Sequence, residues 1–333
     1  MGCAHSHQDS WTAGGLTDSQ VGTLNALSTT FSSISFIGSS LIILCYLCFP
    51  SLRKFAFKLV FFLSLSDAMS TIGEFVGTGL KLEGGLPDSC SVCLFQAWLT
   101  SIFDLASVLW TACIAHCLWR AIRYHDLEVH RFEKYYHLFA FGVPVFLALL
   151  PQLVGAYGLE NGQCWILSSW SSLMFIQFYI PLWCVVIFNV GIFYRIFRNL
   201  RGFVQPEDTQ MRSPEETKMF WRLGLYPVIL VVCWSVGTIV RIHNSITSSR
   251  KIFGLYALHS ILGHCQGLFN CCVYGMNGAV RDKLKSVYLR LLGRPGSQGH
   301  FPGSDMVELT EAEKEDVRET STEVSAPYPS SGE

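Results

Sequence analysis

Residues 93–118 read CLFQAWLTSIFDLASVLWTACIAHCL, an apolar run broken by a single carboxylate, Asp104. Crossing a bilayer as a helix takes roughly 20 such residues. Outward from this run, similar stretches occupy approximately 24–49, 57–80, 135–157, 168–194, 219–243 and 253–276, joined by short polar connections. The expected fold is therefore an all-α membrane protein, a bundle of seven transmembrane helices. A barrel is excluded because the runs are long and continuously apolar, without the alternation of short strands. Only 15% of the residues are charged, against roughly 25% in an average soluble domain, and the mean hydropathy is +0.35. Nothing in the chain suggests a soluble domain.

The placement of charge sets the orientation. On one side the connections hold Lys81, Arg250 and Lys251. The other side holds Arg53, Lys54 and Lys58, then Arg120, Arg123, Arg131 and Lys134, then six more between Arg195 and Arg222, and five between Arg281 and Arg294. Eighteen cations against three put residues 1–23 outside and the C-terminal tail in the cytoplasm. Those first residues lack a basic start and an apolar stretch, so helix one is expected to serve as its own insertion signal. Met1 to Ser6 match an acylation pattern at Gly2 and Cys3. An anchor there would oppose the charge rule, so the match is read as chance. The domain expectation is an extracellular segment 1–23, a seven-helix bundle 24–276, an amphipathic juxtamembrane helix 277–292 on the inner leaflet, and a tail 293–333 rich in Gly, Pro, Ser, Thr and Glu, expected disordered.

Ionisable groups in hydrocarbon mark function or polar packing. Asp67 and Glu74 lie two turns apart on one face of helix two, and Asp104 sits about three turns below Cys93 on helix three. Asp104, Arg241 and Glu74 are expected to line an outward-facing cavity, with Asp67, Trp234, Asn270 and Tyr274 in a deeper polar switch network. The competing reading has these groups simply tying helices together. Should the ligand be anionic, Arg241, Lys81, Arg250 and Lys251 are the counter-charges on offer. Arg120, Arg123, Arg195 and Arg198 are expected to line a cytoplasmic cleft. Cys93 with Cys164 is the expected disulfide, with Cys90 the alternative partner of the loop cysteine. Glycine pairs Gly73/Gly77 and Gly263/Gly267 permit close helix approach. Prolines 144, 151, 181 and 227 predict kinks in helices four to six.

Several segments resemble the slime-mould cyclic-AMP-receptor class of G-protein-coupled receptors and, more nearly, its plant relative: LCYLCFPSLRKFAFKLVFFLSLSDAMS at 44–70, LWTACIAHCLWRAI at 109–122, RLGLYPVILVVCWSVGTIVRIHNSI at 222–246, and KIFGLYALHS with GLFNCCVYGMNGAVRDKL at 251–284. The similarity covers nearly all of 24–290. It implies a receptor that senses an extracellular small-molecule ligand and engages a heterotrimeric G protein, and it favours a bridge from helix three to the Cys164-Trp165 pair. Helix three ends in His116 to Arg120 without an Asp-Arg-Tyr triplet, and Asn270 to Tyr274 lacks a proline, so the switch residues of the rhodopsin-like class do not transfer. The alternative is a seven-helix transporter or scaffold without exchange activity, for which no internal repeat speaks. A retinal protein would need a lysine in 253–276, which has none. His259 and His264 stand roughly 140° apart around a helix, so no metal, cofactor or enzymatic activity is expected.

Overall fold

The computed structural model describes residues 4–5, 16–53, 55–82, 90–124, 129–160, 163–202, 224–246, 251–275 and 278–291. The acylation match at Gly2 and Cys3, the connection 203–223, Arg250 and the tail from 292 lie outside the described residues, as do the side chains of Lys81 and Cys90. Two units divide the chain, Met1–Leu284 and Lys285–Glu333.

The first unit is helical. Helices α1 (Asp18–Cys48), α2 (Phe55–Leu82) and α3 (Cys90–Arg123) are followed by α4 (Val129–Leu153), α5 (Ser168–Ile196, helical onward to Gly202) and α6 (Leu225–Ile246). These six are long and apolar enough to cross a membrane. The run expected as a seventh span is divided into α7 (Phe253–His264) and α8 (Gln266–Gly275). At the division the Cys265 N–H bonds to the Leu262 carbonyl at 3.2 Å, a tighter turn than an α-helix makes. Helix α9 (Gly278–Leu291) follows, with Val280 buried and Leu284 packed against the core.

Several boundaries differ from the sequence reading for local reasons. Helix α1 starts early because Thr17 and Gln20 form a reciprocal capping box, which satisfies two otherwise orphaned amides. Helix α4 ends at Leu153, and Tyr157 belongs to a strand: β2 (Tyr157–Glu160) pairs antiparallel with β3 (Gln163–Ile166). A short strand β1 (Ala4–His5) adds to β2 in parallel, with Ala4 opposite Gly158. Pro144 and Pro181 are accommodated by widened turns, whereas Pro151 lies within the last turn of α4 and Pro227 in the first turn of α6. A π-turn at Leu138–Gly142 precedes Pro144 and another at Phe175–Tyr179 precedes Pro181. A wider turn carries the carbonyl four residues back away from the proline ring, where an α-turn would clash.

The core runs through α3, whose Leu105, Val108, Trp110, Ile114 and Ala115 are almost wholly enclosed. Glycines allow the closest contacts. A Cβ on Gly267 would come within 2.8 Å of the Ser35 backbone carbonyl, and one on Gly77 within 2.2 Å of the Gln96 amide. The expected glycine pairs thus serve packing inside one chain.

Candidate functional site

The outer end of α3 is fixed by a disulfide between Cys93 and Cys164, with Cα atoms 5.2 Å apart. This joins α3 to β3. Further along α3, Gln96 accepts from the Cys164 backbone N–H at 3.2 Å, and Ser101 accepts from the Trp165 indole at 3.0 Å. The hairpin is therefore seated on α3 at three successive points. The Arg241 guanidinium of α6 lies 5.3 Å from the centre of the Trp165 ring, a cation–π contact. Its Nε is buried and has no hydrogen-bond partner among the described residues.

Deeper in the bundle a small polar cavity is lined by Asp67, Ser70 and Glu74 of α2, Asp104 and Ser107 of α3, Ser35 of α1, Trp234 of α6, and His264 and Gln266 from either side of the break. Glu74 and Asp104 thus share one cavity with Asp67, whereas Arg241 stands apart beneath the hairpin. Each carboxylate has a hydroxyl donor: Ser70 donates to Asp104 and Ser32 donates to Glu74. Glu74 also faces His264, with Nε2 to Oε1 at 3.3 Å.

Asp67, only 7% exposed, accepts from Ser107 at 2.5 Å, from Gln266 Nε2 at 3.0 Å and from Asn270 at 2.7 Å. Burial of a carboxylate is tolerable only with such compensation. Gln266 donates to Ser107 as well, at 2.6 Å, and its carbonyl accepts from the Trp234 indole at 2.7 Å. One amide therefore links α2, α3 and α6. Tyr274 stands outside this network: its hydroxyl is buried without a hydrogen-bond partner among the described residues, and its ring packs edge-on to Phe57 at 5.6 Å. The sequence reading missed the roles of Gln266, Ser107 and His264. The available signal was their polarity within apolar runs.

At the opposite end, Arg120 in the last turn of α3 lies over the rings of Tyr124 and Phe132, at 4.7 and 5.2 Å. Arg123, Arg195 and Arg198 are exposed. His116 shares a 2.7 Å hydrogen bond with the Tyr136 hydroxyl, joining α3 to α4. Lys58 of α2 and Glu133 of α4 form an ion pair.

The family described as "Slime mold cyclic AMP receptor" matches residues 17–294. The chain is 34% identical over 276 residues to "G-protein coupled receptor 1" of Arabidopsis thaliana, covering 80% of this chain and 82% of that protein. It is 28% identical over 265 residues to "Cyclic AMP receptor-like protein A" of Dictyostelium discoideum, covering 78% and 65%. With "Cyclic AMP receptor 1" of the same organism the identity is 25% over 195 residues, covering 58% of this chain and 47% of that protein.

Proposed function

We infer the working of a G-protein-coupled receptor from one premise: this chain belongs to the slime mold cyclic AMP receptor family. In this reading the plasma membrane is crossed seven times, α7 and α8 together making the seventh crossing with its break at Cys265. The N-terminus and the Cys164 hairpin face outward. The pairing of β1 with that hairpin supports this placement, as does the charge asymmetry. Residues 277–292 form a basic amphipathic helix on the inner leaflet, and 293–333 form a cytoplasmic tail.

The observation that carries the mechanism is the link through Gln266. Helix α6 carries Arg241 near the outer end and Trp234 two turns deeper, and Trp234 is tied through Gln266 to Asp67 and Ser107. A small extracellular ligand that contacts Arg241, Asp104 and Glu74 differently in two arrangements of the bundle shifts their balance by that difference in affinity. Movement of α6 about Pro227 then exchanges the Trp234 contact and opens a cleft among Arg120, Arg123, Arg195 and Arg198 for a heterotrimeric G protein. The unpartnered donor of Arg241 suits an anionic ligand.

The test is nucleotide exchange on a heterotrimeric G protein reconstituted with the receptor in bilayers. Acceleration by the intact receptor, weakened in the Arg120→Ala, Arg123→Ala variant, is the expected result. No difference between the two folded proteins would remove those arginines from the contact. An Arg241→Ala receptor that reached the surface and kept its ligand potency would remove Arg241 from the ligand site.

A further inference from the structure

His264 ends α7, immediately before the break. Its Nδ1 lies 2.6 Å from the Ser260 carbonyl oxygen. A carbonyl only accepts, so Nδ1 carries a hydrogen and the tautomer is fixed. Its Nε2 faces Glu74 Oε1 at 3.3 Å. With Nδ1 protonated, that second contact is favourable only if another proton lies between Nε2 and Oε1. Without it, a nitrogen lone pair would face a carboxylate oxygen. The other oxygen of Glu74 accepts from Ser32, which favours the carboxylate form and places the proton on the imidazole. The C-terminal end of a helix, where His264 stands, favours a cation for the same reason.

We propose that His264 and Glu74 form a proton-binding site at the break in the seventh span, and that the proton it holds keeps α7 joined to α2. The surroundings are consistent with one bound proton. The ionisable groups facing His264 are Glu74 and Asp67 of α2, Asp104 of α3 and, on its own helix, His259, which in turn feels Arg241 of α6. The adjoining parts of α1 and α8 present Ser32, Ser35, Cys265 and Gln266. Among the described residues, His264 is thus the one basic group lining a cavity that three carboxylates line.

Position gives the proton its consequence. Gln266, two residues on, holds Trp234, Asp67 and Ser107, and the Gly267 N–H donates to Ser35 of α1 at 2.9 Å. Release of His264 from Glu74 detaches the outer half of the broken span from α2 and leaves it held to α6, where Asn244 donates to Tyr256 at 2.7 Å, while the inner half stays tied to α1 and α2. A receptor built in this way answers to extracellular pH in addition to its ligand. That last statement rests on the receptor reading; the site itself does not.

The experiment is thermal melting of the purified receptor in nanodiscs across about pH 5 to 10, from the range in which free imidazoles titrate to well above it. Raising the pH strips the proton and sets a lone pair against a carboxylate. The wild-type melting temperature should therefore fall through a single-proton step of a few degrees. His264→Gln and Glu74→Gln should each remove that step, while His259→Gln should keep it. If His264→Gln does not fold, Glu74→Gln decides the question with every histidine in place. A flat wild-type profile, or a step that persists in Glu74→Gln, would overturn the proposal. The melt needs no G protein, so its failure would leave the exchange reading standing.

Discussion

Gln266 shows how much one amide can determine. Its carbonyl oxygen satisfies the Trp234 indole, and its nitrogen satisfies Asp67 and Ser107. Gln266→Leu conserves approximate volume but leaves a buried indole N–H unpaired and the Asp67 carboxylate short of one donor. Stranding a buried polar group costs about 1–3 kcal/mol, so a clear fall in melting temperature is expected, with Gln266→Glu also impaired because a second carboxylate would face Asp67. Gly267 beside it gives a sharper contrast. A Cβ there would meet both the hydroxyl and the backbone carbonyl of Ser35, and a backbone cannot step aside cheaply. Gly267→Ala should lower the amount of folded receptor at the cell surface, whereas Gly254→Ala, with nothing within 4 Å, should not. At this scale the sequence was partly legible. Asp67, Glu74 and Asp104 point inward because a carboxylate in hydrocarbon has few other places to go. The partners were not legible, since an amide such as Gln266 or a hydroxyl such as Ser107 looks the same in an apolar run whether it is linked or idle.

Among the elements, the spans that sequence placed best are α2 and α3, the most deeply buried of the six. Helices α2 and α3 lie within a few residues of their expected limits, because their ends coincide with the ends of apolar runs. The break at Cys265 was not legible: no proline marks it, and Gly263 and Gly267 looked like a packing pair. What sustains the break is tertiary, the capture of the Gly267 amide by Ser35 of another helix. The hairpin was legible only through its cysteine. Ten residues between two spans gave no strand signal strong enough to outweigh a plain loop, yet β2 and β3 pair from Tyr157 opposite Ile166 to Glu160 opposite Gln163. The disulfide closes a separation of 71 residues, and such bridges contribute typically about 2–4 kcal/mol. Here the intervening helices already restrain the loop, so the low end applies. Replacing Cys93 and Cys164 together by Ser should leave the helical content intact by circular dichroism. It should also speed proteolysis within 157–166, since the hairpin would lose its covalent tie to α3 and keep non-covalent contacts such as those with Gln96 and Ser101.

At the scale of the whole molecule, the apolar surface has a sign opposite to that of a soluble protein. Ile37 of α1 is 67% exposed, Leu138 of α4 71% and Ile187 of α5 70%, and all belong to helices long enough to cross a bilayer. Exposed apolar patches on this scale would drive a water-soluble protein to aggregate, so the solvent that these faces meet is lipid. Ile37 lies close to the middle of α1, where an arginine costs about 2.5–3.5 kcal/mol of insertion free energy. Ile37→Arg should therefore sharply reduce the inserted fraction in a microsomal insertion assay, and Ile37→Leu should match wild type, because only the polarity of an otherwise free surface changes. The same membrane fixes the topology. The eighteen cations of one side resist crossing and the three of the other do not, so an epitope fused at the N-terminus should bind antibody on intact cells, and one fused at the C-terminus only after permeabilisation. Removing charge from the first basic connection, as in Arg53→Ser, Lys54→Ser and Lys58→Ser together, should weaken that preference most at α1 and α2. Lys58 also bonds Glu133, so a Lys58→Ser single variant separates the loss of the α2–α4 ion pair from the loss of topology. If it alone reproduced the inverted fraction, that ion pair rather than the charge count would be fixing the orientation.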